Sequence, residues 1–265
     1  MTTEHQQQVQ ERVERERAAH TEDDVLLRAH QLKDRFPHIR KYRSLVALLD
    51  SMDQYLRNAK GMKVLDLGCG NGERSLSLLE YGAEVCGIDI STVYVGNCTE
   101  AALAAGHDAS RFEFEAMDAH QLTYEDNTFD MVIGNGILHH LDLKVSTDEI
   151  KRVLKPGGRS IFVEPLSANP LLKVFRVFTP NARTVDEKPL SIADLRMFSR
   201  HTEWKVESSF CGIVEAPVAV ATSLALRPWP NNPFLKAAYW CEKGLNAVPL
   251  MHPFNQYVLL NLVKN

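Results

Sequence analysis

The chain has 265 residues, 45% of them apolar and 24% charged, with a formal net charge of −4. That length supports one large α/β domain with a sizeable core, and that charge excludes a nucleic-acid binder relying on a strongly basic face. The cysteines Cys69, Cys86, Cys98, Cys211 and Cys241 are odd in number and form no C-x-x-C pair, which fits reduced thiols in a cytoplasmic protein.

Residues 1–60 read as an N-terminal helical cap. Met1 to His20 is polar and lacks the basic-then-apolar order of a secretory signal. A charged helical stretch from Glu4 to Arg35 is followed, after Pro37, by an amphipathic helix carrying Leu45, Leu48 and Leu49. Across residues 61–164 short apolar runs alternate with helical segments, the signature of a parallel sheet covered by helices. The runs predict strands over Lys63–Leu67, Glu84–Ile88, Phe112–Ala116, Phe129–Ile133 and Arg159–Glu164. A short helix is predicted over Thr147–Leu154, capped by Ser146 with Glu149 in capping-box spacing, and closed by the turn Lys155-Pro156-Gly157-Gly158.

Residues 165–203, broken by Pro165, Pro170, Pro180 and Pro189, are expected to form a lid insertion. Residues 204–265 are expected to complete the sheet with strands over Trp204–Val214 and Asn255–Lys264. Between them lie the stretch Arg227-Pro228-Trp229-Pro230 and a helix over Phe234–Leu245. The longest apolar run, Ile213–Leu226, contains Glu215 and Pro217 and is shorter than the roughly 20 residues that cross a bilayer. A soluble protein with no membrane span is expected.

The strongest local signal is Val64-Leu65-Asp66-Leu67-Gly68-Cys69-Gly70-Asn71-Gly72, a buried strand entering alternating glycines and then a helix with Leu76, Leu78 and Leu79. Such glycines let a ligand approach the backbone, and the helix start offers unpaired N–H groups. Dinucleotide sites use G-x-G-x-x-G to seat a pyrophosphate. Here the spacing is G-x-G-x-G followed by Glu73, a carboxylate ill placed beside a diphosphate but tolerable beside a sulfonium and an ammonium group. Asp89 ends the next strand about 20 residues beyond the loop, where a ribose-binding acid belongs. Ala116-Met117-Asp118-Ala119, ending the third strand, offers a carboxylate and backbone amides to an adenine edge.

The segments VLDLGCGNG, GIDIS, AMDAHQL, FDMVIGNGILHHL and LKPGG, in that order between Met62 and Glu164, resemble the successive motifs of class I S-adenosylmethionine-dependent methyltransferases. The resemblance implies an α/β fold, a Rossmann-like, doubly wound, seven-stranded, mostly parallel sheet with N-terminal helices and a helical lid. It implies S-adenosylmethionine as cofactor, with Asp66, Gly68, Gly70 and Asn71 on its methionine half. By the same resemblance Asp89 holds the ribose hydroxyls, Ile90 lies beside the adenine, and Asp118 with Ala119 meets the adenine edge. Asn135, after the fourth strand, faces the methionine and the transferred methyl. The segment Glu164 to Pro170, and Arg183-Thr184 with Glu187 to Leu190, are similar to a subgroup of bacterial small-molecule methyltransferases.

A sulfonium carries an activated methyl, so the protein's task is to hold a nucleophile in line and exclude water. No metal is needed. A carboxylate acceptor needs no base, whereas a phenol with pKa about 10 gains from one. The candidates are His139, His140 and Glu164, near the carboxyl ends of the fourth and fifth strands. Consecutive side chains diverge, so at most one of the two histidines is expected to face the acceptor; alternatively the pair organises its loop by hydrogen bonds. Glu164 either orients the acceptor or bonds the lid backbone. A metal at the histidine pair is disfavoured because no further ligand cluster has suitable spacing, and no G-x-S-x-G is present.

Trp204, Trp229, Trp240 and six of the eleven phenylalanines lie in the last hundred residues, suiting an apolar or aromatic pocket on the acceptor side or simply a core. Lys173, Arg176, Arg183 and Arg196 favour an acceptor with an acidic group, or are solvated. Methyl transfer to the oxygen of a small molecule is expected ahead of nitrogen or carbon, with Tyr42-Arg43 closing over the donor. A noncatalytic donor-binding partner subunit is the alternative from another class; a nicotinamide-dependent oxidoreductase is disfavoured by the loop spacing. A homodimer is compatible with this reading.

Overall fold

The computed structural model describes residues 3–21, 41–173, 187–200, 203–225 and 232–265. The charged segment beyond Thr21, together with Arg176, Pro180, Arg183, Thr184 and the Arg227–Pro230 stretch, lies outside the described residues. Seven strands, β1 (Lys63–Leu67), β2 (Glu84–Asp89), β3 (Phe112–Ala116), β4 (Phe129–Asn135), β5 (Leu154–Pro165), β6 (Trp204–Cys211) and β7 (Tyr257–Lys264), form one sheet in the order β3-β2-β1-β4-β5-β7-β6. β1 to β5 run parallel, while β7 is antiparallel to both β5 and β6. The winding direction reverses between β1 and β4, and that crevice at the carboxyl ends is where an open α/β sheet binds ligands.

Along β1 successive side chains leave opposite faces, so Val64 joins one core layer and Leu65 the other. On the first face helix α2 (Arg43–Arg57) buries Leu45, Leu48, Met52 and Leu56, one stripe at helical spacing. Each such side chain contributes roughly 1.5–3 kcal/mol on burial. Helices α3 (Glu73–Glu80) and α4 (Thr92–Ala104) follow β1 and β2. On the opposite face lie α5 (Leu143–Val153) and α6 (Ile192–Arg200), burying Ile150, Val153 and Phe198.

Several boundaries differ from expectation for definable reasons. The α5 helix is capped by Asp142, which accepts from Val145 N at 3.1 Å; Ser146 lies inside the helix with its hydroxyl donated to Asp142 O. Glu149 is no cap partner: it accepts from Leu122 N and pairs with Arg152. The Lys155–Gly158 turn is an irregularity within β5, lodged between the pairs Phe129↔Leu154 and Met131↔Arg159. The β6 strand stops at Cys211 because Gly212 takes φ +92, a left-handed conformation that favours glycine.

The apolar run after Gly212 is helix α7 (Glu215–Ala225). Its Pro217 falls in the first turn, where a missing N–H costs little. Buried carboxylates then link helices end to end. Glu242, on α8 (Pro233–Asn246), accepts from the backbone N–H of Gly212, Val214 and Glu215, and Glu215 accepts from Ser44 N at the start of α2. Both carboxylates lie against the N-terminus of a neighbouring helix, where the macrodipole favours negative charge. No helix among the described residues is long and apolar enough to cross a membrane.

Candidate active site

The glycine loop leaves β1 and turns back beneath β2, with Gly68 N and Cys69 N both donating to Ile88 O. Its glycines serve different neighbours. A Cβ on Gly68 would lie 2.7 Å from Ile137 Cδ1, and one on Gly72 3.0 Å from Cys98 Sγ, so protein side chains occupy those spaces. At Gly70, with φ +52, an added Cβ meets no heavy atom within 4 Å. Gly70 is therefore the open position of the loop, and its N–H donates to Asp89 Oδ2 at 3.0 Å. The other Asp89 oxygen accepts from Ser91 N at 3.0 Å. Asn71, exposed, accepts from Asn97 Nδ2 at 3.4 Å, and Ile90 is half-buried beside Asp89.

Asp66 is 3% exposed and accepts from Ser75 Oγ at 2.6 Å, tying β1 to α3. Burial, opposed by the Ser75 bond and the charge of Arg74, pushes its carboxyl up to about 6. Asp118 accepts from His120 Nδ1 at 2.7 Å and from His120 N at 2.9 Å. Burial opposes its ionisation, but these bonds and the charge of Arg17 outweigh it and hold the carboxyl below its ordinary range. His120 Nε2 in turn accepts from Asp142 N at 2.8 Å, which assigns the Nδ1–H tautomer to a buried ring. His120 escaped the sequence reading, although an acid followed two residues later by a donor is the spacing of an Asx turn. Ala119 is buried in this turn, and Asn135 is exposed at the end of β4.

The second half of the site is built on Glu164. This fully buried carboxylate accepts from Ile137 N and Leu138 N at 2.9 Å, from His139 N at 3.4 Å, and from His139 Nδ1 at 2.7 Å. Through these bonds Glu164 organises the loop after β4. Acceptance by Glu164 places a proton on Nδ1 of His139; in the neutral ring the acceptor is then the other nitrogen, Nε2. That nitrogen faces Glu187 Oε1 at 3.9 Å.

The two histidine rings do not diverge. In the 3₁₀ turn Leu138–His140 they pack with centroids 4.2 Å apart. The fold brings Glu187 to them, with one ligand-capable atom from each of His139, His140 and Glu187 lying within 4.8 Å of the others. The spacing argument against a third metal-capable group therefore does not survive folding. Helix α1 (Thr3–Thr21) also reaches the pair: Arg12 donates to His139 O at 3.2 Å, and Glu16 lies 3.2 Å from His140 Nδ1. Tyr42, by contrast, is buried against Gly212 and donates to Gln256 at 3.0 Å, which makes it a packing residue rather than a closing one. Trp204 belongs to the core, Trp240 to the surface, and Trp229 lies outside the described residues.

A methyltransferase domain family matches residues 58–205. The chain belongs to that family, and its fold is that of the class I S-adenosylmethionine-dependent methyltransferases. It is 37% identical over 121 residues to the demethylmenaquinone methyltransferase of Staphylococcus aureus strain MRSA252, a match covering 44% of this chain and 48% of that protein. The chain thus spans about half the length of the curated relatives it matches. In fold it is similar to geranyl diphosphate C-methyltransferase from Streptomyces coelicolor A3(2), with TM-score 0.57 and 14% identity over 82% of this chain and 78% of that one. It is also similar to Haemonchus contortus phosphoethanolamine N-methyltransferase 2, with TM-score 0.56 and 18% identity over 81% of this chain and 52% of that one.

Proposed function

We propose that this methyltransferase acts on the oxygen of a small, largely apolar acceptor bearing an acidic hydroxyl or carboxyl group, in the cytoplasm. When bound, S-adenosylmethionine supplies a methyl on cationic sulfur, which passes in line to the acceptor oxygen as the C–O bond forms and the C–S bond breaks. Gly70, the open position of its loop, would admit the methionine half, with Gly68 and Asn71 shaping that loop and Asp66 fixing β1 beneath it. Asp89 would hold the ribose hydroxyls with Ile90 beside the adenine. Asp118 and Ala119 would meet the adenine edge, and Asn135 the methionine.

The observation that carries the acceptor side is the Glu164–His139 pair. Glu164 supports His139 as a base by fixing the proton on Nδ1, so that Nε2 can take the proton of an acceptor hydroxyl. His140, beside that ring and facing Glu16, would position rather than abstract. In this reading residues 1–60 form a cap whose α1 shields the histidine pair, residues 61–164 the donor core, 165–203 a lid that brings Glu187, and 204–265 the completion of the sheet. Exclusion of water by such a cap strengthens every electrostatic contact inside it.

Calorimetric titration with S-adenosylmethionine and S-adenosylhomocysteine, followed by mass spectrometry of phenols, enols and carboxylic acids incubated with the donor, tests this function. His139→Gln should leave donor affinity within about twofold while lowering kcat for a hydroxyl acceptor by roughly 10²–10⁴-fold. Donor binding with a product methylated at carbon would replace the oxygen reading. No heat with either nucleoside would remove the activity altogether.

A further inference from the structure

The outward side of α8 is apolar where an amphipathic surface helix presents polar groups to water. Leu235, Ala238 and Glu242 point inward, while Phe234 and Trp240 are 60% and 66% exposed. In the 3₁₀ turn Pro249–Phe254 that follows α8, Leu250 is 75% exposed, and Leu171, 62% exposed, lies two residues from Asn169, whose amide donates to Phe254 O of that turn. Single apolar side chains on a surface are ordinary, whereas a ridge of several large ones on one helix and the turn that follows it points to an interaction site.

The charge around this ridge selects its partner. Between Pro233 and Phe254 the only acid is Glu242, which is buried and committed to the start of α7. The exposed charges are cations: Lys243 Nζ lies 5.5 Å from the ring centres of both Tyr239 and Trp240, Arg43 lies 5.6 Å over Tyr239, and Lys236 is exposed on the same helix. A self-contact of two copies through this patch would set cation against cation. An anionic lipid surface complements both features at once, because tryptophan and leucine enter the interface while lysine and arginine meet the headgroups.

The position is also suited to an enzyme. The Pro249–Phe254 turn leads into β7, whose first residue Tyr257 pairs with Pro165 and Cys211, and whose Val258 pairs with Glu164. The ridge therefore borders the same end of the sheet as the histidine loop. We infer that α8 and the turn that follows it dock this protein on the surface of an anionic bilayer, with the rim of the candidate site turned toward the lipid.

Cosedimentation of the full chain with vesicles of phosphatidylcholine, with and without phosphatidylglycerol, tests this without measuring methyl transfer, so its failure and that of the proposed function are separate results. Binding is expected to the anionic vesicles, with tryptophan emission quenched by brominated acyl chains. Combining Trp240→Ser and Leu250→Ser should weaken partitioning at least tenfold, and Lys236→Gln or Lys243→Gln by about fivefold each with a shallower salt dependence. All four positions are exposed, and an unchanged melting temperature verifies the fold of each variant. The inference is overturned if the wild type ignores anionic vesicles, or if the double variant binds as well as the wild type. It is equally overturned if light scattering reveals a dimer that the double variant dissociates, since the ridge is then a protein interface.

Discussion

The two halves of the candidate site are built on opposite plans. On the donor side the glycine loop, Asp89 and Asp118 belong to consecutive strand ends, and their bonds run to the neighbouring backbone: Gly70 to Asp89, Ser91 to Asp89, His120 to Asp118. On the proposed acceptor side His139 is held by groups from three separate stretches: Glu164 at the end of β5, Glu187 and Lys188 beyond it, and Arg12 on α1. A half made of adjacent turns keeps its shape through local geometry. A half made of distant elements exists only when those elements are docked, and there a single buried group organises the rest.

Glu164→Ala should sharpen this contrast with the largest effect. It strands buried N–H groups of Ile137, Leu138 and His139 at once, and removal of one partner from such a buried charged network costs about 3–5 kcal/mol. Urea denaturation is the measurement. Retention of wild-type stability would mean that the loop after β4 holds itself, and the contrast would fail.

A titration of Asp66 probes the donor half. The folded protein keeps this proton up to about pH 6, whereas the ordinary value is 3.8. Across that interval the native state binds more protons than the unfolded chain. The stabilising contribution of this group is therefore complete below the unfolded value and is lost as pH rises through about 6, a loss on the order of 3 kcal/mol. Asp66→Asn should remove that loss, so the variant is expected to exceed wild type in stability at pH 8 and to converge with it near pH 4, as read by denaturant melts at each pH.

The smallest effect separates two glycines of one loop. Gly68→Ala should cost about 1–3 kcal/mol, because its Cβ collides with Ile137 at a left-handed φ. Gly70→Ala meets open space and should cost only about 1 kcal/mol of backbone strain, yet it should weaken donor binding. Equal stability losses in thermal melts, with donor affinity unchanged at Gly70, would break the assignment of Gly70 as the open position.

Much of the fold was legible because it follows periodicity. The ranges of β1 and β3 emerge as predicted, and β2 and β4 only run on by a residue or two to Asp89 and Asn135. The errors came where a local pattern had two solutions. Ser146 with Glu149 has capping-box spacing, but Asp142 caps the helix one turn earlier; the run after Gly212 is apolar enough to hide a helix whose N-terminus depends on a carboxylate from α8.

The sequence by itself determined the ranges of the first strands and the place of the glycine loop after β1, since side-chain alternation and the spacing of glycines and acids act over a few residues. The tertiary structure alone decided that Ile137 and Cys98 fill two of the three glycine spaces, that Glu164 is consumed by the histidine loop, and that Glu187 and Glu16 stand beside the histidine rings. Those contacts join positions far apart in the chain. Their geometry depends on how whole elements pack, which no short window of residues encodes.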